Sequence, residues 1–323
     1  MKWRIETLQK KESQQAGQEL KILEGDIAAA YNFLRKNRKK HFAGKKQIPL
    51  YLILGPSRFG KTTILSQAGL NLKNFNHQSL SRVTPTKYCS FWFSPDALYI
   101  DTAGNYTKPE ITQPRNELIW QGFIKLLQKY FGKNAISCVL VILDLPAIAQ
   151  DEALRNKALF CIRERIYELA TLIKHLPLHV IFTKCDHIAG FTEFFCLLTT
   201  EERTQPFGIN FSTAQERTDP VPMFETKFNE LLKHVNERVI ERLQKATNPS
   251  ERLLIKAFPS QLGQLNQTIL EVLSKIPSGQ QISLSGIYFT SSIQNGAPID
   301  VLKSPLLNAF DLKEKQTYKI IAG

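Results

Sequence analysis

The chain has 323 residues, 43% of them hydrophobic and 22% charged, with a formal net charge of +13. Those proportions belong to a globular protein with a sizeable core and exclude a disordered or fibrous chain. No apolar run approaches the ~18 residues of a membrane span, and the N-terminus lacks the apolar region of a secretory signal. The sequence therefore reads as a cytosolic protein or a soluble piece of a membrane protein.

In chain order, residues 1–17 are polar and predict a fraying or solvated helix. Over residues 18–34, Leu20, Leu23, Ile27, Ala30, Tyr31 and Leu34 recur at helical spacing. A basic run follows, with Arg35, Lys36, Arg38, Lys39, Lys40, Lys45 and Lys46. It is either a solvated charge run or a contact with an anionic membrane face. No aromatic interleaving or nucleic-acid motif accompanies it, so nucleic acid is not expected as a partner.

Leu50-Tyr51-Leu52-Ile53-Leu54 predicts a buried strand, and residues 63–68 a helix. Between them Gly55-Pro56-Ser57-Arg58-Phe59-Gly60-Lys61-Thr62 fits G-x-x-x-x-G-K-[ST], the phosphate-binding P-loop. Backbone N–H groups of such a loop, here those of Gly55, Ser57, Arg58, Phe59, Gly60, Lys61, Thr62 and Thr63, point at nucleotide phosphates. Lys61 would reach the β- and γ-phosphates, and the Thr62 hydroxyl would ligate Mg²⁺.

Residues 71–87 read as a loop of switch-region length, with Thr84 or Thr86 as a second Mg²⁺ ligand. Two short strands around Ser94-Pro95-Asp96 predict a hairpin whose second strand ends on Asp101-Thr102-Ala103-Gly104. Helical spacing covers residues 116–130, a continuous apolar strand 136–143, a long helix 151–175, and another strand 178–182. Strands alternating with helices predict an α/β fold with a doubly wound, mostly parallel sheet. From about residue 190 to 278 the pattern is almost wholly helical. One helix starts after Pro222, another is capped at Asn248, and a third covers 260–275. A strand returns at residues 285–290. Five cysteines without C-x-x-C, and six histidines without a metal-ligand spacing, indicate neither a disulfide framework nor a zinc site.

Three motifs fall at the C-terminal ends of predicted strands, where open α/β sheets bind ligands. The first is the P-loop. In the second, the Asp101 carboxylate would hold Mg²⁺ through water and the Gly104 N–H would meet the γ-phosphate. The third, Thr183-Lys184-Cys185-Asp186, is a variant of the N-K-x-D motif of GTPases. There the Asp186 carboxylate would accept two hydrogen bonds from guanine, which adenine does not offer, while the Lys184 stem packs along the base. Ser291 would complete the base site. Asn105 stands where efficient GTPases often carry Gln to orient water; with Arg58 it is the candidate catalytic residue, and slow turnover is expected. A competing reading takes Asp144, which ends an apolar strand, as the metal-holding carboxylate of an ATPase motor. No Glu follows it as general base. The expected cofactors are Mg²⁺ and GTP, with ATP as the alternative.

Several stretches resemble the cytoplasmic domain of the IcmF/TssM family. They are Pro49-Leu50-Tyr51-Leu52-Ile53-Leu54-Gly55-Pro56, Cys89-Ser90-Phe91-Trp92-Phe93, Asp101-Thr102-Ala103-Gly104-Asn105-Tyr106-Thr107, Phe182-Thr183-Lys184-Cys185-Asp186 with Glu193-Phe194-Phe195, and Gly286-Ile287-Tyr288-Phe289-Thr290-Ser291. The resemblance implies a P-loop, GTPase-like fold with an added helical subdomain. It implies the cytoplasmic domain of a bacterial inner-membrane protein of type VI or Dot/Icm type IVB secretion systems. It also implies a DotU/TssL-type membrane partner, and it gives the basic run a place beside a membrane helix. Ser57-Arg58-Phe59 departs from the small residues common in that loop, which bears on hydrolysis more than on binding. The expected organisation is an N-terminal helix and basic linker (1–47), a P-loop core (48–200), a helical subdomain (201–282), a last core strand and helix (283–310) and a tail (311–323).

Overall fold

A computed structural model describes residues 2–41, 48–67, 72–74, 88–107, 114–196, 198–199, 202 and 205–291. The scaffold is one eight-stranded sheet. Its centre is β1 (Leu50–Leu54), buried at every position, and β5 (Ile136–Asp144), a near-continuous Val/Ile/Leu run. Only a strand covered on both faces carries such a sequence. Beside them lie β4 (Leu98–Thr102), β6 (Leu176–Thr183) and β8 (Ile282–Phe289). β4, β1, β5, β6 and β8 are parallel to one another. The edges are antiparallel. β3 (Cys89–Phe93) pairs with β4 and carries β2 (Lys73–Asn74) outside it, while β7 (Gly208–Asn210) pairs with β8.

The predicted hairpin forms as β3–β4. Ser94 Oγ accepts from the backbone N–H of Asp96 and Ala97 at 3.2 and 2.9 Å, closing the turn. β2 lies inside the stretch read as a loop; two residues give too short a pattern to reveal a strand. Thr84 and Thr86 lie outside the described residues, as do residues 292–323.

The N-terminal helix is longer than its apolar period. α1 (Lys2–His41) is continuous, including most of the polar stretch expected to fray and the start of the basic run. Ala16, Leu23, Ile27, Ala30 and Leu34 are buried, while Arg35 and Lys36 are exposed. α1 packs on α3 (Pro114–Phe131) through Tyr31, whose ring lies 5.9 Å from Tyr130 and 5.6 Å from Phe131. Lys129 pairs with Glu24 at 2.6 Å across the same seam, and Arg115 pairs with Glu19.

The helix expected over residues 151–175 forms but ends earlier, and a separate short helix precedes it. Asp144 caps α4 (Leu145–Gln150), and Asp151 caps α5 (Glu152–Ala170) by accepting from Leu154 N at 2.9 Å. α2 (Lys61–Gln67) follows the P-loop and packs on the opposite face of the sheet, where Ile64 and Leu65 meet Tyr51, Cys138 and Ile142.

Beyond β6 come α6 (Phe191–Phe195), α7 (Ala214–Thr218), α8 (Val221–Lys245), α9 (Pro249–Gly263) and α10 (Asn266–Lys275). α6 docks on α9 through Phe194 and Phe258, 5.1 Å apart. Asn248 caps α9 as expected, but α9 carries Pro259 internally and ends at Gly263, so the next helix begins later than the apolar pattern implied. Ile240, placed on the apolar stripe of α8 by spacing, is 69% exposed. This block is not purely helical, because β7 leaves it to extend the sheet.

Candidate functional site

The loop after β1 is shaped by close approaches. A Cβ on Gly55 would meet the Ile142 carbonyl oxygen at 2.4 Å. Arg58 occupies the left-handed region at φ 67° and is exposed, whereas Phe59 beside it is buried. Lys61 folds back under the loop and donates to the carbonyls of Gly55 at 2.7 Å and Pro56 at 2.9 Å. Burial pushes its ammonium down to about 8, against the pull of Asp101.

The second motif meets this loop directly. β4 lies beside β1 with Asp101 in register with Ile53. Asp101 is fully buried, and Thr62 Oγ1 donates to its Oδ2 at 2.6 Å. Thr102 Oγ1 donates to the Ile53 carbonyl at 2.6 Å and fixes the strand end. Gly104 opens a 3₁₀ turn, Gly104–Thr107, and a Cβ there would lie 2.3 Å from Ser57 N, so the backbones of the two motifs touch. Asn105 is the exposed member of this turn; Tyr106 and Thr107 are buried.

The third motif is tied to the first. Thr183 is buried, and its one Oγ1 proton is shared between the carbonyls of Phe59 at 2.8 Å and Leu143 at 3.2 Å. The Thr183 side chain thereby fastens the P-loop to β5 and β6. Lys184 adopts the left-handed region at φ 57°, and its Nζ lies 2.5 Å from Asp144 Oδ2. Asp186 Oδ1 accepts from Ser291 Oγ, and its Oδ2 lies 3.5 Å from His187 Nε2. Two backbone bonds, Cys185 N to Thr290 O at 3.2 Å and Thr290 N to Phe182 O at 2.8 Å, hold the segment after β8 against the third motif.

All three motifs thus stand at one edge of the parallel strands, linked by side-chain bonds. Asp144 is engaged elsewhere: its Oδ1 accepts from Ala147 N at 3.1 Å and its Oδ2 faces Lys184. Among the described residues, no group of three or more His, Cys, Asp or Glu could hold a metal ion. No helix of the described residues is long and apolar enough to cross a membrane.

One residue of this neighbourhood escaped sequence reasoning. Arg165 on α5 donates Nε to the Tyr106 carbonyl at 2.9 Å and pairs with Glu117 at 2.6 Å and Glu168 at 2.8 Å. Its guanidinium lies 5.2 Å from the Trp120 ring. The available signal was a charged residue on the stripe of Ala158, Ile162, Ile166 and Leu169, which faces the core.

The model of the IcmF-related N-terminal domain matches residues 113–319. The type VI secretion system component TssM1 of Pseudomonas aeruginosa is 32% identical over 277 residues, 82% of this chain. The chain belongs to the IcmF/TssM family. It spans 25% of the length of that relative. Among solved structures, this IcmF-family chain aligns with an ADP ribosylation factor-like GTP binding protein from Encephalitozoon cuniculi in complex with GDP. The TM-score is 0.37 at 11% identity, over 95% of this chain and 90% of that one. A signal recognition particle receptor complex from Chaetomium thermophilum aligns at TM-score 0.32 and 14% identity, over 79% of this chain and 96% of that one. Superpositions this loose leave the fold to be read from its own strands.

Proposed function

We propose that this chain is a nucleotide-binding domain of P-loop, GTPase-like architecture within a secretion-system component. In this reading it takes GTP with Mg²⁺ in preference to ATP and serves assembly or stabilisation of a membrane complex, with slow or no hydrolysis of its own. The observation that carries it is the Thr62–Asp101 hydrogen bond, which brings the hydroxyl and the carboxylate suited to one cation together from two separate motifs.

The residues present fit the ligand. The buried Lys61 ammonium and the glycine-cleared backbone around Ser57 suit phosphate oxygens. Thr62 and Asp101 would hold Mg²⁺, which when bound would offset phosphate charge. Asp186 and Ser291 would read the base, with the Lys184 stem beside it. Asn105 and Arg58 are exposed rather than held inside the site, which supports slow turnover. The exposed Arg35 and Lys36 suit an anionic membrane face. A DotU/TssL-type inner-membrane protein is the proposed partner, and the cytoplasmic side of a bacterial inner membrane the proposed location.

A second reading, a scaffold with a vestigial site, is favoured by one observation. Lys61 already donates to two carbonyls of its own loop. Equilibrium binding of labelled GTP and ATP with Mg²⁺, using Lys61→Ala and Asp186→Ala as controls, decides between them. GTP preference that disappears in Asp186→Ala supports the nucleotide reading. Absence of binding by the wild-type chain overturns it in favour of the scaffold. ATP preference indifferent to Asp186 overturns the guanine assignment.

A further inference from the structure

We infer that Asp144 is a positioning residue on the base side of the site, holding Lys184 in place, and that it takes no part in binding the metal. The inference rests on the nucleotide reading above and assigns a role to a carboxylate outside the three motifs.

The backbone explains why the pair forms. β5 and β6 run parallel with Asp144 in register with Thr183, so the residue after Thr183 emerges beside the Asp144 carboxylate. Asp144 is rigid on two counts: it ends a buried strand and caps α4 through Ala147 N. It is 5% exposed. Thr183, tied to the Phe59 carbonyl, is equally fixed. Lys184 follows it in the left-handed region, a conformation unfavourable for a residue with a Cβ, and its ammonium docks on Asp144. A lysine stem is otherwise long and flexible. Anchoring its end orders it before any ligand arrives, which removes part of the cost of binding.

The same geometry speaks against a metal. Asp101 and Thr62 meet on the β4 side of β1, whereas Asp144 ends β5 on the other side, three residues beyond the Val141–Leu54 pair that closes the β1 register. A divalent cation at Asp144 would sit against the Lys184 ammonium, which already occupies that carboxylate.

Asp144→Asn separates the two tasks of the side chain. Asparagine caps a helix as well as aspartate does, but it offers Lys184 no charge. The measurement is equilibrium binding of labelled GTP, competition by inorganic triphosphate, and a Mg²⁺ titration, on the 323-residue chain carrying Asp144→Asn, Lys184→Met or both. GTP affinity is expected to fall about tenfold in Asp144→Asn, the lower end for losing a charge-assisted hydrogen bond. Competition by inorganic triphosphate, which has no base, is expected to be unchanged, as is the Mg²⁺ midpoint. The double variant is expected to be no worse than Lys184→Met, because the two side chains act as one unit. Unchanged GTP affinity in Asp144→Asn overturns the inference while leaving the nucleotide reading intact, and so does a shifted Mg²⁺ midpoint. Should Asp144→Asn fail to fold, unchanged GTP affinity in Lys184→Met overturns it equally. A wild-type chain that binds neither GTP nor triphosphate overturns the nucleotide reading and this inference with it.

Discussion

The Lys61 ammonium is 6% exposed and faces two carbonyl oxygens rather than a full anion, which is an unfavourable place for a charge. Its pKa falls from 10.5 to about 8, mainly through burial. The consequence for stability has a definite sign. Between about pH 8 and 10.5 the unfolded chain binds the proton that the folded chain has lost, so stability rises with pH across that window. Below it the folded state carries the whole cost, at most about 3 kcal/mol. In Lys61→Met this dependence disappears. Urea denaturation of the two proteins at intervals from pH 7 to 10.5 should therefore show wild type gaining on the variant as pH rises. Parallel curves would show that the ammonium is better compensated than its contacts imply.

Arg165 works between elements. From α5 it reaches the Tyr106 carbonyl, in the turn that follows Gly104, and pairs with Glu117 on α3. Trp120 Nε1 donates to Glu168 at 2.5 Å, and the Tyr106 ring lies 5.4 Å from Trp120. The turn after the second motif is therefore clamped to α3, which in turn packs against α1. Arg165→Met keeps the stem against Trp120 but takes the guanidinium donor from the Tyr106 carbonyl and the charge partner from Glu117 and Glu168, which keep Gln121 and Trp120 as donors. A loss of about 2 kcal/mol is expected, the usual cost of unpairing buried polar groups. Amide exchange should quicken in residues 104–107, and exchange as slow as in wild type would refute the clamp. This element also shows what the sequence could carry. Contiguous apolar runs gave β1, β5 and β6, and the three motifs announced which strand ends meet, because both depend on local order along the chain. The tie of Thr183 to Phe59 and the pairing of Asp144 with Lys184 depend on strand register, which no local pattern states. β2 and β7, of two and three residues, are too short to show a period.

At the scale of the molecule, both faces of the sheet are closed, and the face opposite α1 and α3 carries a buried histidine. His179 lies on β6 between Leu140 of β5 and Gly286 of β8, its ring 5.6 Å from that of Tyr288. It is 3% exposed. Burial, helped by the positive charge of Arg217, holds its pKa down from 6.5 to about 4. Here the unfolded chain takes up the proton first. As pH falls from 6.5 to about 4 the unfolded state gains a proton that the folded state refuses, so stability falls with acidification. Protonating the native ring would place a cation between two central strands, and the full penalty is about 3 kcal/mol. His179→Phe removes the titration and keeps an aromatic ring against Tyr288. Urea midpoints at pH 7, 6, 5 and 4 should fall more steeply in wild type than in the variant, with the divergence beginning near pH 6.5. Equal slopes would mean that the ring reaches solvent or a carboxylate when charged. On the nucleotide reading proposed above, acid-induced loosening at β6, whose end carries the third motif, should weaken GTP binding over the same pH interval in wild type and spare it in His179→Phe.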